Sequence, residues 1–207
     1  MQEAGCAFLP AKELHDFIRR AFIEEGAPFY RDEYEHLRWA RIAVQWTNTP
    51  KVKAMVAWAA CARLITTGGD KWSKAKELQL LREWYGGWWE DVDEETGLPA
   101  LPDFELTFYG PCATVEECSD ITFAARCAHE LLHCAQDEKD GEKQWGDDGR
   151  PKFAMRDHGV STWVEVGEDF GPVERGVPEL MAALAKAPRF PGATVSGLCG
   201  TCLRPMA

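Results

Sequence analysis

Hydrophobic positions along the chain repeat at two periods. In residues 11–25, AKELHDFIRRAFIEE, Leu14, Phe17, Ile18, Ala21 and Phe22 share one face at helical spacing, and Gly26 and Pro28 stop the helix. Residues 38–47 alternate instead. Ala40, Ile42, Val44 and Trp46 point one way, which predicts a half-buried strand. After the turn residues NTP, the run KVKAMVAWAACARLI alternates again at Val52, Ala54, Val56 and Trp58. It predicts a second strand paired with the first as a hairpin; its alanine content makes helix the competing reading. Residues 70–85 have helical spacing. DFELTFYG alternates at Phe104, Leu106 and Phe108 and predicts a third strand.

The second half of the chain starts with a capping-box pattern, Thr114 followed by Glu117, which predicts a helix running to about Gln136. Residues 137–151 are polar and glycine-bearing, as in a loop. KFAMRDHGVSTWVEVGEDFG predicts a short extended piece and then a helix, and PELMAALAKA predicts one more. The fold class expected is α+β, a small mixed or antiparallel sheet packed on helices. One domain is expected over 1–187, with an aromatic and acidic insert at about 84–102, followed by an irregular tail over 188–207. The tryptophans of the insert read most simply as a plug buried against the core.

Composition narrows the class. The chain has 207 residues, 45% hydrophobic and 28% charged, which suits a folded globular protein. Its net charge of -11 repels phosphate backbones and argues against nucleic acid as the main partner. No apolar run of membrane-spanning length occurs. The first residues show neither a basic n-region nor a long apolar stretch, so a cytoplasmic location is expected. Of eight cysteines, Cys127 and Cys134 sit in an apolar helical segment where free thiols pack as small hydrophobes. That matches a reducing compartment. The terminal pair Cys199 and Cys202 resembles half a zinc ribbon, but Cys112 and Cys118 have the wrong spacing to complete it.

The chemistry concentrates in CAHELLHCAQDEKDGE. His129 and His133 lie one helical turn apart and can direct two imidazoles at one ion. Glu130 is rotated by about 100° from His129, close enough to reach an attacking water without becoming a ligand. Ala124, Ala125, Ala128, Leu131, Leu132 and Ala135 surround the group, so the helix should be buried on most sides. Uncompensated burial of such polar side chains costs several kcal/mol, on the order of 2–7 for each group. A zinc ion compensates it. A third protein ligand must come from elsewhere. His15 lies on the first helix and reads as solvent-facing or capping, and His36 precedes a strand. His158 opens the helix after a loop of suitable length and is the expected third ligand, with Glu165 as the rival. Gln136 and Lys139 stand where a metzincin needs glycine and histidine. Tyr109, Arg126 and Arg156 are candidates to stabilise an oxyanion.

The run HELLHCAQDEKDGE, then KFAMRDHGV, then a helix ending EDFG, resembles the phage metallopeptidase family, a group related to SprT-like zincins. The resemblance covers roughly residues 11–172 and is strongest over 103–172. It implies a zincin-like fold and a zinc ion held by His129, His133 and His158, with Glu130 as catalytic base. It further implies a protein or peptide substrate in a bacterial cytoplasm, with phage or prophage origin, and β-pairing of that substrate with the strand Phe104–Tyr109. Where the family usually reads His-Asp-Val-Glu-Glu-Phe, this chain has HGVSTWVEVGEDF. The carboxylate that would orient a ligand histidine is absent from its usual place, and Asp157, Glu165 or Glu168 are the substitutes. Two functions of different classes follow: a zinc peptidase, or a catalytically weak zinc-fold protein that binds a partner. A fourth protein ligand such as Cys134 or Glu165 would close the site and favour the second.

Overall fold

Phe104, Leu106 and Phe108 alternate with Glu105 and Thr107, and the strand they build is covered on both faces and paired on both edges. The computed structural model describes residues 8–48, 58–65, 71–94, 96–110, 118–156, 177–192 and 198–199. In chain order its elements begin with β1 (Phe8–Pro10), α1 (Lys12–Ile18) continued by a wider turn over Arg19–Ile23, and a 3-10 helix (Asp32–Trp39). Then come β2 (Ile42–Thr47), β3 (Trp58–Leu64), α2 (Lys71–Tyr85), β4 (Phe104–Tyr109) and α3 (Asp120–His133). Four short strands follow, β5 (Cys134–Gln136), β6 (Glu138–Lys139), β7 (Glu142–Lys143) and β8 (Phe153–Met155). The last elements are α4 (Val177–Leu184) and β9 (Leu198–Cys199). The class is α+β, as expected.

The main sheet runs β1-β2-β4-β3-β9. β4 pairs in parallel with β2 (Val44 opposite Leu106) and antiparallel with β3 (Ala62 opposite Leu106). The expected hairpin between the second and third strands is therefore wrong: β4 lies between them, and the alternating residues 51–57 fall outside the described residues. β4 itself has no open edge, so the expectation that a substrate pairs with Phe104–Tyr109 is also overturned. Leu198–Cys199, within the stretch expected to be irregular, lies parallel to β3.

One face of the sheet carries Ile42, Val44, Ala60, Ala62, Phe104, Leu106 and Phe108 into the core, against Leu14, Ile18 and Phe22 of the N-terminal helix and Ala124, Cys127 and Leu131 of α3. Phe17, expected on that helical face, stays at its exposed edge against Phe22. The other face was expected to meet solvent. Instead α2 covers it: Ala43 is small enough for Leu81 and Tyr85 to close over, and β2 is buried on both sides. Polar residues on this face are paired. Gln45 donates to Thr107 at 2.9 Å and accepts from the Tyr85 hydroxyl at 3.2 Å, while Arg63 donates to Glu105 at 2.6 Å. Trp88 and Trp89 of the insert pack half-buried against the core, as the plug reading has it, but Trp84 stays exposed.

The helix expected from Thr114 starts at Asp120. Thr114 and Glu117 lie outside the described residues, and Ser119, extended at φ -71° and ψ 159°, caps the helix by accepting from the Thr122 N–H at 3.3 Å. At the other end His36 of the 3-10 helix is buried and donates Nε2–H to the Cys134 carbonyl at 2.9 Å. Burial pushes the His36 imidazole below its ordinary value of 6.5, with Lys143 and Arg156 acting in the same direction.

Two outcomes follow. Replacing Ser119 with alanine removes one capped N–H and should cost about 1 kcal/mol, read as a lower urea midpoint at unchanged m. The second concerns pH. Folded His36 takes up its proton at lower pH than the unfolded residue, whose ordinary value is 6.5. Between the two values the unfolded chain binds more protons, so stability falls as pH drops through that range. The thermal midpoint should decline from pH 7 to pH 5, and less steeply in His36→Gln. Buried His15, shifted in the same direction, leaves part of the slope in place.

Candidate metal centre

Thirteen of the fourteen residues of α3 are buried or half-buried, leaving Asp120 exposed. Cys127 and Leu131 hold the helix to the sheet, and Phe123 stacks on Trp46 at 5.9 Å between ring centres. His133 is its last residue. The helix was expected to reach about Gln136, but Cys134 turns extended (ψ 96°) and opens β5, which pairs antiparallel with β8.

A helix end this deep exposes carbonyls that need donors. Each is met. The Cys134 N–H closes on Leu131, Arg156 Nε donates to the Leu132 carbonyl at 3.0 Å, and the Arg156 N–H donates to the His133 carbonyl at 2.9 Å. Arg156 answers in the other direction too: its own carbonyl lies 2.7 Å from His133 Nδ1. A carbonyl can only accept, so Nδ1 carries the proton and Nε2 of the neutral ring holds a lone pair. Main chain, not a carboxylate, therefore orients this imidazole.

That lone pair faces His129. The two Nε2 atoms are 3.3 Å apart, with the rings 5.0 Å between centres and tilted by 70°. At this distance a neutral His129 can donate Nε2–H to that lone pair, or both nitrogens can hold one metal ion. A tetrahedral zinc ion with Zn–N bonds of about 2.0–2.1 Å has an edge of about 3.3–3.4 Å, so the pair fits such an ion without movement. Glu130, between them in sequence, is 2% exposed. Burial, and after it the Glu130 carboxylate, pushes the thiols of Cys127 and Cys134 well above their ordinary range. Cys134 Sγ points back along the helix to the Glu130 carbonyl at 3.5 Å and packs in the core cluster.

His158, the expected third ligand, lies outside the described residues, as do its rival Glu165 and the carboxylates Asp157 and Glu168. Among the described residues no group of three histidine, cysteine or acidic side chains could hold a metal. His15 is not solvent-facing as expected: it is buried, 5.1 Å from the Trp88 ring, with Nδ1 2.9 Å from Asp16. Of the oxyanion candidates, Arg156 is engaged with the Leu132 carbonyl, Arg126 is buried within α3 and Tyr109 ends β4. Three residues position the site: Tyr34, which the sequence did not single out, and His36 and Arg156, which it weighed for other roles. Tyr34 donates to the Ala128 carbonyl at 3.2 Å, His36 holds Cys134, and Arg156 holds both His133 and Leu132. Their partners are backbone carbonyls, which leave no mark in a sequence.

Among the described residues, Cys61, Cys118, Cys127 and Cys134 are free thiols. Among the described residues no helix is long and apolar enough to cross a membrane. Comparison with known proteins returns one family, described as "Putative phage metallopeptidase", over residues 15–187. No curated protein and no solved structure matches the chain. The family match runs from within α1 through α4 and takes in every residue of the His129–His133 site, and the chain belongs to the phage metallopeptidase family.

Proposed function

We propose that this chain is a zinc-dependent peptidase with a zincin-like site, in which His129, His133 and His158 hold the metal and Glu130 is the catalytic base. The observation that carries the reading is the pair of Nε2 atoms at 3.3 Å, one of them fixed as a lone-pair donor by the Arg156 carbonyl. His158 is supported as the third ligand by covalent reach. It lies two residues beyond Arg156, and two residues span at most about 7 Å. The chain is thus brought to His133 just before the expected ligand.

A bound zinc ion supplies Lewis acidity that makes water a nucleophile near neutral pH. The residues of the chain do the rest. Glu130 takes the proton of the attacking water and returns it to the departing amine, which needs a carboxylate held near the reacting atoms and shielded from bulk water. Its burial provides that shielding. His133 cannot turn its lone pair away while Nδ1–H is bonded to Arg156, so the ligand set is oriented in advance. The substrate is a protein or peptide, cut in a bacterial cytoplasm by a phage- or prophage-borne enzyme.

The alternative, a zinc-fold protein that only binds a partner, calls for a closed coordination shell. Cys134 was one candidate to close it. Its thiol is turned into the core toward the Glu130 carbonyl, which favours the open site of an enzyme.

Glu130→Gln should keep one zinc per chain and slow cleavage of an unfolded protein substrate by about 100- to 10,000-fold, followed by mass spectrometry of the fragments. Full activity in that variant would remove the base assignment. His158→Ala should lose zinc, measured by elemental analysis after dialysis. Unchanged zinc content there, with loss in Glu165→Ala, would hand the third position to Glu165.

A further inference from the structure

Beside His129 a cavity of about 430 Å³ opens between α3 and the N-terminal helix. We propose that it is the specificity pocket of the site and receives a large apolar side chain of the substrate at the residue next to the cut bond. This assignment rests on the peptidase reading above and adds the substrate class.

Continuity with the metal pair is the first argument. His129 forms part of the wall, and its Nε2 is 3.3 Å from that of His133. A group filling the cavity therefore lies directly against the reacting centre. The second argument is the lining. Phe22 and Tyr34 lie behind the cavity and are themselves closed to solvent, so its accessible apolar wall is made by Phe29, Ile121, Leu132 and Phe190. The Tyr34 hydroxyl donates to the Ala128 carbonyl, so that proton is already engaged behind the wall. On the α3 side the wall is Ala124, Ala125 and Ala128, three small residues that leave the volume open. The size falls within the range of about 300–1,000 Å³ typical of ligand pockets.

Charge sets what is refused. Among the described residues, the charged groups lining the cavity are Arg31 and Arg189, with no carboxylate beside them. Arg31 pairs with Glu33 at 2.9 Å, outside the pocket, and the Arg189 guanidinium lies over Phe190 at 5.0 Å. A lysine or arginine side chain would enter beside the Arg189 guanidinium, with no carboxylate among the described lining residues to meet its charge. An aromatic or large aliphatic side chain would bury its whole surface.

The test uses the full zinc-loaded chain and two peptide hydroxamates that differ at one position, benzyl or methyl, beside the metal-chelating group. Affinities are measured by calorimetry, so no turnover is needed. The benzyl compound should bind at least tenfold tighter than the methyl compound, about 1.4 kcal/mol. Filling the pocket by Ala128→Phe, or separately by Ala125→Phe, should cut that ratio below threefold. The ratio is taken on one sample, so partial unfolding or zinc loss weakens both compounds alike and leaves it readable. Equal affinity for wild type, as would follow if another segment of the chain fills the cavity, overturns the assignment while the methyl compound's binding leaves the metal reading standing. A tenfold ratio that persists in both filled variants overturns it as well. Binding of neither compound would sink the metal reading and the pocket with it.

Discussion

A helix that stops inside a protein leaves carbonyls without donors, and the site depends on how α3 solves that problem. The last helical residue is also the second histidine of the pair. Its carbonyl, the one before it and the one after it are met by Arg156 N–H, Arg156 Nε and His36 Nε2 respectively. Satisfying the helix end thus brings the β8 strand alongside it. Once there, the Arg156 carbonyl has a donor within reach, and His133 Nδ1 supplies it. One arrangement of backbone groups terminates the helix, selects the tautomer and aims the lone pair. A buried carbonyl left unmet costs on the order of 1–3 kcal/mol, so the arrangement is held by more than the histidine bond alone.

The strand that delivers Arg156 is itself anchored. Asp103, at the entry to β4, accepts from the Arg41 N–H at 2.7 Å and from the guanidinium groups of Arg41 at 3.0 Å and Arg150 at 2.7 Å. Arg150 also reaches the Trp39 carbonyl. Phe153 then packs edge-on against Phe104, 5.3 Å between ring centres. The polar loop after β5 is stiffened by a tight hairpin in which Asp140 and Gly141 both take positive φ, at 54° and 81°. These φ signs suit a two-residue turn with the twist of the flanking strands. The stretch from 137 to 151 looks loop-like in composition, yet with the short strand after it the segment is fixed at its start by β5, in its middle by Asp103 and at its end by His133.

What could be read from the chain, and what could not, divides along one line. Periodicity reports burial. It marked α1, α2, β2 and β4 because Leu14, Ile18, Ile42, Val44, Phe104 and Leu106 enter the core at regular spacing. The helical spacing of His129 and His133 likewise survives as two nitrogens at 3.3 Å. Periodicity does not report pairing order. The alternation of Ile42 with Val44 is the same whether the neighbour is β3 or β4, so the hairpin was a default and the true crossover stayed hidden. Nor does it report the second face of β2: Ala43 and Gln45 look exposed until α2 supplies Leu81 and Tyr85. Main-chain partners are the third blind spot. Arg156 carries no motif, and its place beside His133 follows from the antiparallel register of β5 and β8, with Cys134 opposite Met155.

The alanines of α3 show how one sequence feature can serve two demands. In the chain they read as core packing, and Ala124 does pack there. Their small size also lets the Tyr34 hydroxyl approach the Ala128 carbonyl at 3.2 Å, a contact with helix backbone that a larger neighbour would obstruct. That bond ties the 3-10 helix to the turn of α3 just ahead of His129. It also removes the only polar atom of the Tyr34 side chain from the cavity wall. Larger residues at the half-buried positions 125 and 128 would fill the cavity and bury further methylenes, each worth about 0.8 kcal/mol. The chain forgoes that stabilisation along one stripe of the helix, and the stripe ends at the histidine that faces the metal pair.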